Sequence, residues 1–181
     1  MREIEIKARL LDKQSVLDKL ASINITLSKP IKQHDMVYSL PNAKDNALGA
    51  NWLRIRIEND KKTLFTLKRS VVGHLDSIEH ETEVADPSEM QNIITMLGYE
   101  PYSDLTKLRQ KAKHKDLEIC IDHIEGLGDF IEIEKMSEQD VNHEETEAIL
   151  WKFMSSIGID KKDEVLVGYD VMERQQRGDK L

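Results

Sequence analysis

The chain begins with the stretch Glu3-Ile4-Glu5-Ile6-Lys7-Ala8-Arg9-Leu10, in which charged and apolar side chains alternate without interruption. Side chains point alternately to the two faces of a β-strand, so this stretch predicts a strand with one apolar face and one charged face. A charged face usually meets solvent. The remainder of the sequence indicates whether this one does.

The composition predicts one globular domain over residues 1–181, since 39% of the residues are hydrophobic and 33% are charged. The net charge of −8 argues against a nucleic-acid partner. Cys120 is the single cysteine, which excludes an intramolecular disulfide and a multi-thiolate metal site and favours a reducing, cytoplasmic location. No apolar run is long enough to predict a signal peptide or a membrane span.

Four helices are predicted. Asp12 and Asp86 stand where N-caps are expected, and Pro87 suits the first position of a helix. The predicted ranges are Asp12–Ser22, Pro87–Leu97, His143–Ile157 and a short helix over Lys161–Val167. The Trp151, Phe153 and Met154 cluster is typical of a helix core, and a homodimer interface is the alternative for this face.

Six further segments alternate like the first one, so seven strands are predicted from pattern alone. Their charged faces share one property: within each strand the charges have the same sign. The rows are Arg54 and Arg56; Glu79, Glu81 and Glu83; Lys107, Arg109 and Lys111; and Glu132 and Glu134. On a surface that binds nothing, like charges two residues apart in a strand repel mildly and do not stabilise the fold. The pattern therefore predicts an α+β protein whose antiparallel sheet turns its charged face into an enclosed groove or tunnel, with helices packed outside. A closed antiparallel barrel would also remove the exposed edge strands.

A row of cations facing a row of carboxylates suits a polyphosphate bound together with metal ions. Arginine and lysine bind phosphate oxygens, and carboxylates bind Mg²⁺ or Mn²⁺. The sequence therefore favours metal-dependent chemistry on a phosphate chain. The basic run from Lys111 to Lys115 is predicted to be a solvated hairpin turn.

Several motifs resemble one known family. They are Glu3-Ile4-Glu5-Ile6-Lys7, Gln33-His34-Asp35 with Tyr38, Leu53-Arg54-Ile55-Arg56, Thr66-Leu67-Lys68, Glu81-Thr82-Glu83, Lys107-Leu108-Arg109, Asp122, and Gly126-Leu127-Gly128-Asp129-Phe130 leading into Glu132-Ile133-Glu134. In order and spacing they resemble the CYTH group, the triphosphate tunnel metalloenzymes, and within it the CyaB-type class IV adenylate cyclases. The resemblance implies a closed, eight-stranded antiparallel tunnel.

The resemblance also implies roles for individual residues. The triphosphate would be held by Lys7, Arg54, Arg56, Lys68, Lys107 and Arg109. Glu5 and Glu134 would be the leading metal ligands, and with Lys107 and Arg109 they would form the catalytic group. Further metal ligands or supporting carboxylates would be Glu3, Glu81, Glu83, Asp122 and Glu132. Mg²⁺ or Mn²⁺ is the implied cofactor.

Two activities fit these expectations. A cyclase would convert ATP to 3′,5′-cyclic AMP and pyrophosphate, through attack of the ribose 3′-oxygen on the α-phosphorus. A triphosphatase would hydrolyse inorganic tripolyphosphate, thiamine triphosphate or a nucleoside triphosphate. A binding module that holds polyphosphate without turnover is a third alternative, against which the intact Glu3/Glu5 and Glu132/Glu134 pairs argue.

Overall fold

The computed structural model describes residues 2–41, 43–44, 48–71, 75–137 and 141–179. Within these residues the elements are β1 (Arg2–Arg9), α1 (Lys13–Ser22), β2 (Ile31–Ser39), β3 (Asn51–Glu58), β4 (Lys62–Ser70), β5 (Asp76–Glu83), α2 (Pro87–Met96), β6 (Glu100–His114), β7 (Leu117–Ile124), β8 (Gly128–Ser137), α3 (His143–Ser156), a 3₁₀ turn (Lys161–Asp163) and α4 (Tyr169–Arg177). The strands form a closed barrel in the order β1-β5-β4-β3-β2-β6-β7-β8. The predicted α+β fold with a closed, eight-stranded antiparallel barrel is confirmed. In the part of the chain that is described, no helix is long and apolar enough to cross a membrane.

The chain divides into two compact units. The first unit comprises Met1–Ile31 and Leu108–Leu166, and the second comprises Lys32–Lys107 and Val167–Leu181. Residues Glu100 to Lys107 of β6 therefore belong to the second unit, and the remainder of that strand belongs to the first.

In the first unit, the apolar faces of β1, β7 and β8 carry the helices. Ile4 of β1 and Ile133 of β8 are fully buried, in one cluster with Leu20 of α1 and with Leu150 and Met154 of α3. Burying these side chains removes apolar surface from water, which is the main force that holds the helices on the strands. The prediction that the apolar face of the opening strand packs against helices is confirmed, and so is the core role of Met154.

The first two helices begin where their predicted caps stand. Asp12 accepts a hydrogen bond from the Ser15 backbone N–H at 3.0 Å, which fixes the start of α1. Asp86 accepts from the backbone N–H groups of Ser88 and Glu89, and Pro87 follows it as the first residue of α2. α1, α2 and α3 end within one residue of the predicted ends.

In the second unit, antiparallel pairing joins β2 to β3, β3 to β4 and β4 to β5. Their apolar face forms a smaller core of Tyr38, Leu53 and Ile55, on which α2 packs through the fully buried Ile94. The opposite face of β3 carries Trp52, Arg54 and Arg56, as the alternation predicts.

Two local predictions are wrong. The helix predicted over Lys161–Val167 is a single 3₁₀ turn that ends at Asp163. The backbone beyond it runs beside β1, where the Val165 N–H donates to the Lys7 carbonyl at 2.8 Å, so these residues are extended instead of helical. The turn predicted over Lys111–Lys115 is shorter, because β6 continues through His114 and the chain reverses at Lys115, whose φ is +57°.

The pattern also missed β2, the strand Ile31–Ser39. One face of this strand carries Gln33 and Asp35, which are both buried, and the other carries Met36 and Tyr38. Because polar residues are buried here and Met36 and Val37 are adjacent, the segment shows no clear alternation of apolar and charged residues.

Candidate functional site

Three carboxylates of the first unit converge on the charged face of β1 and β8. In the register of these strands, Glu5 lies opposite Glu134 and Lys7 lies opposite Glu132. One oxygen atom from each of Glu5, Glu132 and Glu134 lies within 4.8 Å of the other two. This spacing allows three hard oxygen donors to share one divalent cation.

The electrostatics of Glu5 also fit a bound cation. Burial raises the pKa of the Glu5 carboxyl well above its usual range, the charges of Glu132 and Glu134 raise it further, and Lys7 opposes them. Among the described residues, Glu5 Oε1 is buried without a hydrogen-bond partner, although Lys7 Nζ lies 3.3 Å away at ion-pair distance. A cluster with more negative than positive charge and an unsatisfied carboxylate oxygen is suited to hold Mg²⁺ or Mn²⁺.

Lys7 lies between two of these carboxylates. Its ammonium is 3.3 Å from Glu5 Oε1 and 3.0 Å from Glu132 Oε1, and its side chain is only 3% exposed. Burial alone would lower the pKa of Lys7, but Glu5 and Glu132 outweigh it and raise the pKa above its usual range. Lys7 is therefore a charged ammonium, as the phosphate-binding role requires.

Arg109 of β6 is surrounded by carboxylates. Its Nε and Nη2 atoms donate to the two oxygens of Asp122 at 2.7 and 2.5 Å, and Nη2 also contacts Glu132. Its Nη1 lies 3.5 Å from Glu134 Oε1. Asp122 is fully buried, and both of its oxygens face the guanidinium. Asp122 is therefore placed to hold Arg109, and its predicted role as a metal ligand stays a prediction.

A second group of ligand atoms adjoins the first. Donor atoms of Glu118, Cys120 and Glu134 lie within 4.8 Å of one another. Lys111 Nζ lies 2.5 Å from Glu118 Oε1, which neutralises part of this group. Burial raises the pKa of the Cys120 thiol far above its usual range, so the sulfur is a protonated, weak donor.

The second unit carries a group of cations around one acid. Arg56 donates from Nε and Nη2 to the two oxygens of Asp35, both at 2.6 Å. Burial alone would raise the pKa of Asp35, but the charges of Arg56, Lys107 and Arg54 hold it well below its usual range. Asp35 is 5% exposed and ionised.

Two predicted site residues, Lys68 of β4 and Glu81 of β5, each contact a polar residue of the neighbouring strand. Thr66 donates its hydroxyl to Glu81 Oε2 at 2.9 Å and accepts a bond of 3.3 Å from Arg54 Nη2. Lys68 forms an ion pair with Glu79. The structure thus places Glu81 beside Arg54, which fits a supporting carboxylate.

Three predicted site residues remain to be placed, namely Lys107, Glu3 and Glu83. Lys107 is buried at 3% exposure, with its ammonium 4.9 Å from the centre of the Tyr169 ring. Glu3 adds negative charge near Glu5 and is half-buried. Glu83 is exposed on β5, opposite Leu64 of β4. Neither Glu3 nor Glu83 is in a metal-capable group formed by described residues.

Three acidic residues were outside the predicted site: Asp35 and Glu79 of the second unit and Glu118 of the first. Each had a signal in the sequence. Glu79 extends the row of Glu81 and Glu83, and Glu118 alternates in step with Asp122. Asp35 lies in the Gln33–Asp35 stretch that contributes to the family resemblance.

Comparisons with known proteins agree with these features. The sequence model of the CYTH domain matches residues 1–169. A Methanocaldococcus jannaschii protein named "Putative adenylate cyclase" is 30% identical over 148 residues, which are 80% of this chain and 82% of that one. The structure of a conserved hypothetical protein from Pyrococcus furiosus has a TM-score of 0.79 at 24% identity, over 93% of this chain and 98% of that one.

A plant protein with the same fold is described in terms of its activity. It comes from Hippeastrum, is named "Putative adenylyl cyclase", and is said to reveal a dominant triphosphatase activity. Its structure has a TM-score of 0.61 at 19% identity, over 99% of this chain and 97% of that one. At this identity, the likeness shows the fold alone.

Proposed function

Because the chain belongs to the CYTH family, we propose that it is a metal-dependent enzyme that acts on a triphosphate, with ATP as substrate and 3′,5′-cyclic AMP and pyrophosphate as products. The observation that carries the proposal is the buried cluster of Glu5, Glu132 and Glu134 with Lys7 beside it. Buried carboxylates without a full complement of cations are costly unless they bind one.

The proposed metal ligands are Glu5, Glu132 and Glu134 of the first unit. When bound, Mg²⁺ or Mn²⁺ would neutralise charge on the phosphate oxygens and on the oxygen that attacks. The carboxylates would hold the cation, and the β1–β8 pairing places Glu5 opposite Glu134. Phosphoryl transfer asks the protein for positioning and charge neutralisation above all, so no side chain has to act as a general base.

The proposed phosphate ligands are the six basic residues that the family resemblance implies. Lys7 and Arg109 belong to the first unit, and Arg54, Arg56, Lys68 and Lys107 belong to the second. A phosphate oxygen would replace a carboxylate oxygen as the partner of such a cation, since both are anionic acceptors. For the cyclase reaction, these cations would hold the β- and γ-phosphates and stabilise the charge on the departing pyrophosphate.

The choice of ATP cyclisation is supported by the name of the 30% identical archaeal relative. The second candidate is a triphosphatase that acts on tripolyphosphate, thiamine triphosphate or a nucleoside triphosphate. It is kept because a protein of the same fold, from Hippeastrum, is described as having a dominant triphosphatase activity. The same carboxylates and cations would serve both reactions, and only the phosphorus that is attacked would differ.

The test is a product analysis of the purified full chain with ATP and either Mg²⁺ or Mn²⁺. Cyclic AMP with pyrophosphate supports the cyclase, and ADP with phosphate supports the triphosphatase. Tripolyphosphate is assayed in parallel. Glu5→Gln should abolish either reaction, and Glu125→Gln, at an exposed site of the same unit, should not. Tight ATP binding without any of these products would contradict the enzyme and favour a binding module.

A further inference from the structure

Among the described residues, each unit has an arginine that pairs side-on with a buried aspartate. In the second unit Arg56 uses Nε and Nη2 to bind both oxygens of Asp35, and in the first unit Arg109 uses the same two atoms to bind Asp122. All four distances lie between 2.5 and 2.7 Å. A bidentate pair of this kind fixes the plane of the guanidinium as well as its position.

The two arginines differ in what surrounds them. Arg109 also contacts Glu132 through Nη2 and lies 3.5 Å from Glu134 through Nη1, so it lies among acids. Arg56 lies among cations, because Arg54 and Lys107 are close enough to lower the pKa of its partner Asp35. Arg54 also lies 3.7 Å from Glu81, so these three cations face two named carboxylates, Asp35 and Glu81. The balance of these five side chains is positive, which favours an anion.

We propose that Asp35 is a positioning residue for triphosphate binding. Asp35 fixes the guanidinium plane of Arg56 within the cluster of Arg54, Arg56 and Lys107. This inference rests on the proposed function. The side-on pairing engages both Nε and Nη2 with the two oxygens of Asp35, so Asp35 sets the plane of the guanidinium. Without Asp35, repulsion from Arg54 and Lys107 would move Arg56 out of this orientation.

The alternative role for Asp35 is that of a counter-ion, which only neutralises the cations around it. If Asp35 only neutralised the cluster, it would compete with the substrate for Arg56. Removal of its charge would then strengthen triphosphate binding. A positioning role predicts weaker binding in spite of the added net positive charge, so the sign of the change separates the two roles.

The experiment measures the Kd of sodium tripolyphosphate by calorimetry for the full chain and for Asp35→Asn. We expect the Kd to rise about tenfold or more, the usual effect when a partner that orients a ligand-binding side chain is lost. The matched control is Asp60→Asn, which removes an exposed ion pair with Lys32 in the same unit and should leave the Kd unchanged. An unchanged or lower Kd for Asp35→Asn would overturn the inference.

Loss of one member of a buried ion pair can unfold a protein, so a second variant is needed. Arg56→Gln with Asp35→Asn removes both charges and leaves amides that can hydrogen-bond to each other. If Asp35 acts through Arg56, this double variant and Arg56→Gln alone should have the same raised Kd. A further rise in the double variant would refute action through Arg56. If the unaltered chain does not bind tripolyphosphate, the proposed function itself fails; if it binds and only the Asp35 result is contrary, the inference fails alone.

Discussion

Replacement of Glu5 by glutamine should stabilise the metal-free protein while it removes activity. The oxygens of Glu132 and Glu134 lie within 4.8 Å of a Glu5 oxygen, and Lys7 Nζ lies 3.3 Å from one. At an effective dielectric constant of about 20, each repulsion costs about 3.5 kcal/mol and the attraction contributes about 5 kcal/mol. The balance is about 2 kcal/mol against an ionised Glu5 before the cost of its desolvation.

The sign of this effect depends on pH. The folded pKa of Glu5 is raised, mainly by burial and then by Glu132, so the folded protein retains a proton that the unfolded chain has lost. Stability of the unaltered protein therefore falls as the pH rises from the unfolded pKa of about 4.3 through the raised folded pKa. The glutamine variant lacks this loss. Its advantage should be absent near pH 4 and should grow with pH.

The assay is thermal unfolding of both proteins in a chelator, at a series of pH values. A gain of about 2 kcal/mol corresponds to an increase in Tm of roughly 4–8 °C for a chain of this size. Excess Mg²⁺ should then raise the Tm of the unaltered protein more than that of the variant, because a bound cation removes the repulsion. Glu125→Gln is the exposed control. A Glu5→Gln variant that is less stable at every pH would refute the idea that repelling carboxylates converge at Glu5.

Three further outcomes are expected. Glu134→Gln should abolish metal-dependent turnover while circular dichroism shows an unchanged fold, and substantial remaining activity would remove Glu134 from the metal site. Lys107→Ala should raise the KM for triphosphate or sharply lower the rate, whereas Lys61→Ala at an exposed position of the same unit should do neither. Leu150→Ala should lower the free energy of unfolding by about 2–5 kcal/mol in a denaturant titration, because this side chain of α3 is fully buried in the core shared with β1 and β8. A loss below about 1 kcal/mol would contradict the packing of α3 on β1 and β8.

The barrel could be predicted because its strands combine alternation with rows of like charge. Ile4, Ile6 and the glutamates between them follow the simplest strand pattern, and the structure places each face as that pattern requires. β2 was not predicted, because it buries polar side chains. Gln33 and Asp35 have partners on β3 that only the fold brings near. A local pattern carries no information on a partner that is about 20 residues away in sequence.

For the candidate site, the sequence predicts which strand face carries a residue but not which side chain that residue contacts. Alternation correctly put Asp122 on the charged face of β7, where its carboxylate could equally contact a metal ion or a basic side chain. The choice depends on the neighbouring strand, since Arg109 of β6 extends its guanidinium to both Asp122 oxygens. Pairing across strands is a property of the three-dimensional register, which one strand's sequence does not contain.

The mutual pairing of cations and carboxylates has a consequence for binding. Lys7 contacts Glu5 and Glu132, two of the proposed metal ligands, and its ammonium is almost fully buried. If these carboxylates turn to a divalent cation, Lys7 loses the acceptors that stabilise its charge. Phosphate oxygens would then replace them, and a phosphate that approached Lys7 first would in turn leave the carboxylates short of positive charge. Binding of the divalent cation therefore frees Lys7 for the phosphate, and binding of the phosphate frees the carboxylates for the cation. The cation and the triphosphate should bind with positive cooperativity.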